Sequence, residues 1–119
     1  MVAEYYVYAY YFKSNGEIFY IGKGKGDRYS YVGKYRNKFF LNILSKHSDD
    51  VDVRFLEENL TNKEACSLEK RLIAEYWAIG QCKANLHEGG EGGNTGNYAQ
   101  AGQTLSKYLE THERSALWY

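Results

Sequence analysis

The 119-residue chain contains no proline, one methionine, two cysteines and three histidines, and its fifteen basic and fifteen acidic side chains cancel. Without proline, no strand or helix assignment is vetoed by a locked φ or a missing N–H. Cys66 and Cys82 lack the spacing of a metal or redox pair, which points to reduced thiols in an intracellular protein. His47, His87 and His112 are too scattered for a histidine-based zinc site. No apolar stretch reaches membrane-spanning length, and no secretory leader is recognisable. A net charge of zero argues against a generic polyanion binder.

What is present is aromatic and unevenly charged. A hydrophobic content of 44% with 25% charged residues describes a globular chain, long enough for one modest core. Thirteen tyrosines bring apolar bodies with polar tips, useful in a wet core or on a nucleic-acid surface. Between residues 23 and 38, Lys23, Lys25, Arg28, Lys34, Arg36 and Lys38 face a single acid, Asp27. A basic strip on a neutral protein suits a polyanion held at one face, although most charge runs are solvated surface.

Residues 5–12 and 17–22 are β-former runs joined by the turn Ser14-Asn15-Gly16, a predicted hairpin. Neither run alternates cleanly, as expected of strands covered on both faces. Gly22-Lys23-Gly24-Lys25-Gly26 reads as a glycine-rich turn able to approach a phosphate, followed by a short helix over 27–32. It lacks the Gly-x-x-x-x-Gly-Lys-Ser/Thr spacing of a nucleotide loop. Asn37 is placed to cap a second helix, with Phe40, Ile43, Leu44 and His47 on one face. Val51, Val53 and Phe55 alternate with Asp52 and Arg54 as a third strand, and Thr61-Asn62-Lys63-Glu64 is a capping box opening a helix to about Ala78. Glu69 falls inside that helix's apolar stripe, either as half of a buried ion pair or, the reading preferred here, as a metal ligand at a cleft. Five glycines between 89 and 96 form a linker or a loop lying along a backbone, and 97–117 regains helical spacing.

In order, Val7-Tyr8, Tyr20-Ile21-Gly22, Arg28, Glu64-Ala65-Cys66-Ser67-Leu68-Glu69 and Asn85 resemble the GIY-YIG nuclease family over roughly residues 5–90. The resemblance implies an α+β fold, a small three-stranded antiparallel sheet flanked by helices. It divides the chain into a nuclease domain, 1–90, and a glycine-rich loop with a helical extension, 91–119. It also implies a metal-dependent DNA endonuclease of homing, restriction or structure-selective type, with catalytic residues Tyr8, Tyr20, Arg28, Glu69 and Asn85. Glu69 would be the ligand of Mg²⁺ or Mn²⁺, Tyr8 the general base or water-orienting group, and Arg28 the brace of the scissile phosphate. Glu69 is expected to face the tyrosines and the arginine across a shallow groove. Lys23, Lys25, Tyr31, Lys34, Arg36 and Lys38 are expected on double-stranded or branched DNA. Two positions depart from the family pattern: Tyr6 replaces the first motif's glycine, and Val32 stands where some members carry a histidine. The alternative is a non-catalytic nucleic-acid-binding domain that reuses the fold.

Overall fold

A computed structural model describes residues 3–33 and 36–85. Three strands, β1 (Tyr5–Phe12), β2 (Ile18–Lys25) and β3 (Val51–Leu60), form an antiparallel sheet in the order β2-β1-β3. Two helices accompany it, α1 (Lys38–Lys46) and α2 (Asn62–Ala78), giving the expected α+β class. Among the described residues no helix is long and apolar enough to cross a membrane. The glycine-rich run and the helical extension lie outside the described residues.

Central placement explains β1's unbroken run of β-formers. Its even positions, Tyr6, Tyr8 and Tyr10, join Phe19, Val32, Phe40 and Leu44 on one face. Its odd positions, Val7 and Ala9, join Ile18, Ile21, Ala65 and Ile73 under α2 on the other. A strand covered on both faces has no solvent side to alternate with.

β2 carries a bulge: Tyr10 pairs with Tyr20 but Tyr11 pairs with Ile18. The extra residue turns both Phe19 and Tyr20 toward the tyrosine face, where strict alternation would separate them. β2 is also longer than expected. Gly22, Lys23, Gly24 and Lys25 pair with Tyr8, Val7, Tyr6 and Tyr5, so the expected glycine turn is strand. The bend comes at Gly26, whose φ of +60° favours glycine. The short helix expected over 27–32 is only a 3-10 turn, Arg28–Ser30. β3 runs five residues past Phe55, the end of the predicted strand.

Both helix caps form as expected. Asn37 Oδ1 accepts from the Phe40 N–H at 2.8 Å. Thr61 Oγ1 accepts from the Glu64 N–H at 3.1 Å, and Glu64 Oε1 accepts from the Thr61 N–H at 2.8 Å. After α2 the chain returns along the free edge of β2: the Cys82 N–H donates to the Ile18 carbonyl and the Ala84 N–H to the Phe19 carbonyl, both at 2.9 Å. Asn37 Nδ2 donates to the Ala84 carbonyl at 2.7 Å, tying α1 to this segment.

Candidate active site

The tyrosine face is a packed cluster rather than an open groove. Tyr8 is fully buried between Tyr6, Tyr10 and Tyr20, with ring centroids 5.9, 6.0 and 6.3 Å away. A Cβ on Gly22 would stand 2.6 Å from the Tyr8 hydroxyl oxygen, so the phenol lies directly over that glycine. The Tyr8 hydroxyl makes no hydrogen bond of ordinary geometry among the described residues. Burial pushes its acidity well below that of an ordinary phenol, with the Arg36 guanidinium the main opposing influence. Tyr20 is half-buried at the cluster's margin.

Two further hydroxyls hold the turn that follows β2. Tyr6 donates to the Gly26 carbonyl at 2.8 Å and accepts from the Tyr29 N–H at 3.0 Å. Tyr10 donates to the Tyr29 carbonyl. Arg28 sits inside this pinned turn, and its stem lies along Gly24, where a Cβ would come within 3.0–3.2 Å of the arginine's Cβ, Cγ and Cδ. Glycine at 24 is therefore a matter of room for Arg28, and glycine at 22 a matter of room for Tyr8.

Arg36 corrects an expectation. Placed in the DNA strip by its sequence neighbours, it is only 5% exposed and forms the centre of the cluster. Its Nε donates to the Tyr31 carbonyl at 2.6 Å, one Nη to the Arg28 carbonyl at 3.0 Å and the other to the Tyr20 hydroxyl at 3.4 Å. Its guanidinium carbon lies 5.5 Å from the Tyr8 ring centroid, 5.3 Å from that of Tyr20 and 5.2 Å from that of Phe40. Two carbonyls and surrounding π-faces take the place of a counter-ion. Tyr31, also expected on DNA, is buried as well, its ring folded over Gly33. Lys38 is exposed at the start of α1, and Lys34 lies outside the described residues.

Glu69 is turned inward as its helical position predicts, 8% exposed in the row Ala65, Glu69, Ile73. That row packs on the face opposite the tyrosines. The direction of α2 relative to β2 is set at both ends. Lys23 Nζ donates to Asn62 Oδ1 at 2.8 Å near the helix start, and Cys82 meets Ile18 beyond its end. Glu69 is thus about 10 Å along the helix from Asn62. The expected acid facing tyrosines across a groove is not what the fold builds, because β2 runs between them.

Asn85 marks the free edge of β2. Its Oδ1 accepts from the Ile21 N–H and its Nδ2 donates to the Ile21 carbonyl, both at 2.8 Å, as a neighbouring strand would. The side chain thus clamps the strand one residue before Gly22. Lys25 is exposed, 3.6 Å from Glu4, with its ammonium 5.5 Å from the Tyr5 ring centroid.

Glu69 is the buried carboxylate of the described residues, which gather no group of three or more His, Cys, Asp or Glu. A single hard oxygen donor suits Mg²⁺ or Mn²⁺, which keep most of their waters, and does not suit zinc. No protein-family model, curated protein or solved structure matches the chain.

Proposed function

We propose that the chain is a metal-dependent DNA endonuclease of the GIY-YIG type, taking the phosphodiester near the Gly22–Lys25 end of β2. What supports this reading is the inward carboxylate of Glu69 on the helix that Lys23 ties to β2, together with the clamp of Asn85 on Ile21 just ahead of Gly22-Lys23-Gly24-Lys25. Glu69 would hold the Mg²⁺ or Mn²⁺, which when bound neutralises charge developing on the phosphate. Arg28, braced against Gly24, offers the phosphate a planar fork of donors, and Lys23, Lys25 and Lys38 add phosphate contacts.

Burial keeps Tyr8 protonated at neutral pH, so in this arrangement its ring supports Tyr20 rather than taking a proton. The half-buried Tyr20 hydroxyl, already held by Arg36, is the group available to orient the attacking water. Asn85 acts by fixing the strand and not by touching phosphate, since both ends of its amide are engaged by Ile21.

The direct test is nicking of supercoiled plasmid with Mg²⁺ or Mn²⁺ by the wild type, Glu69→Gln and Arg28→Ala. Metal-dependent nicking that falls on the order of 10²-fold in both variants supports the reading. Equal nicking by all three proteins overturns it. The buried Tyr8 hydroxyl favours the second reading, a nucleic-acid-binding domain without chemistry. That reading predicts DNA binding by wild type and Glu69→Gln alike, with no metal-dependent cleavage by either.

A further inference from the structure

Arg36 enters the proposed chemistry only through the Tyr20 hydroxyl, yet it is the most deeply buried charge among the described residues. A buried guanidinium is costly unless its donors are used, and here three hydrogen bonds go to the machinery of the site. The Arg28 carbonyl opens the 3-10 turn and the Tyr31 carbonyl lies just beyond it, so one planar group grips the turn at both ends. The remaining arm reaches the Tyr20 hydroxyl. The Tyr6 and Tyr10 hydroxyls hold Gly26 and Tyr29 in the same turn. Arg36 donates both to the Arg28 carbonyl and to the Tyr20 hydroxyl.

We infer that Arg36 is a positioning residue that sets Arg28 and the Tyr20 hydroxyl relative to one another and does not contact DNA. The inference rests on the nuclease reading and deepens it by giving Arg36 a role toward Arg28 as well as Tyr20. Lysine cannot substitute, because an ammonium lacks the rigid fork that spans two carbonyls and a phenol. A misplacement of about 1 Å in such a group costs on the order of 10²-fold in rate.

The experiment compares wild type, Arg36→Lys, Arg36→Ala with and without added methylguanidinium, and Lys38→Ala, on the same duplex and metal. For Arg36→Lys, kcat is expected to fall on the order of 10²-fold with KM little changed. The salt dependence of its DNA binding should match the wild type, whereas Lys38→Ala lowers that log–log slope by about one. Methylguanidinium should restore cleavage to Arg36→Ala. Full kcat in Arg36→Lys, or a slope reduced as in Lys38→Ala, overturns the inference while wild-type cleavage keeps the nuclease reading standing. Absence of cleavage by the wild type removes the nuclease reading, and this inference with it. Should the variants fail to fold, nuclear magnetic resonance of the wild type decides: the Arg36 Nε–H must exchange slowly, and exchange as fast as that of exposed Arg71 overturns the assignment.

Discussion

A methyl group at position 22 is the smallest change that probes the tyrosine face. In Gly22→Ala the new Cβ would meet Tyr8 Oη at 2.6 Å and Cζ at 2.7 Å, and the ring is hemmed in by Tyr6, Tyr10 and Tyr20. Overpacking of this kind costs about 1–3 kcal/mol, so the urea midpoint should fall with an unchanged slope. An unaltered midpoint would mean that the Tyr8 ring moves freely. The same reasoning separates two kinds of glycine that look alike in the sequence. Gly16, with φ +75° and open space where a Cβ would go, is needed for its backbone, while Gly22 and Gly24 are needed for the side chains laid across them.

At the scale of elements, the edge of β2 is sealed by the segment 81–85 and by one amide side chain. Asn85→Ala removes both bonds to Ile21 and leaves its N–H and carbonyl without that partner, a loss of about 1–3 kcal/mol. Hydrogen exchange at the Ile21 amide should accelerate more than exchange in β1, which checks that the loss is local. Cys82 reports on the same segment: burial pushes its thiol up to about 12 and leaves it little thiolate. Iodoacetamide near neutral pH should spare Cys82 in the native protein and modify it after denaturation. Labelling in the native state would show that the segment leaves the strand. Thr61→Ala breaks the capping box of α2 and should cost about 1 kcal/mol, read from the same urea curves.

Over the whole molecule the tyrosine cluster makes stability sensitive to alkali. Burial pushes the Tyr6 hydroxyl from 10.0 up to about 12, and those of Tyr8 and Tyr10 higher still. These phenols hold their protons longer when folded than when unfolded. Their contribution is therefore complete below about pH 10 and is lost as pH rises toward the folded values. Thermal midpoints should be flat up to about pH 10 and then drop, with Tyr6→Phe losing less than the wild type over pH 10–12. A flat profile through that range would contradict the burial of these hydroxyls. The charge distribution belongs to this scale too. With Arg36 and Tyr31 inside, two residues of the sequence strip are withdrawn from the surface, while Lys25 and Lys38 stay exposed.

Much of the fold was legible because local chemistry dictates it. The Ser14-Asn15-Gly16 turn, the Asn37 and Thr61 caps and the double-sided burial of β1 all follow from residues close together in the chain. The inward turn of Glu69 follows in the same way from helical periodicity between Ala65 and Ile73. What no local pattern specified was pairing and partner. Gly22–Lys25 became strand because Tyr8 through Tyr5 lay alongside to accept it, and a bulge at Phe19 moved Tyr20 to its face. Arg36 went inside because two carbonyls and several rings converge there, a satisfaction of donors that depends on distant residues. Sequence alone determined which elements form and which faces are apolar, since those are set by spacing. Tertiary structure decided which side of β2 each candidate residue occupies and which cations reach solvent, since those depend on strand register and on which buried polar groups find partners.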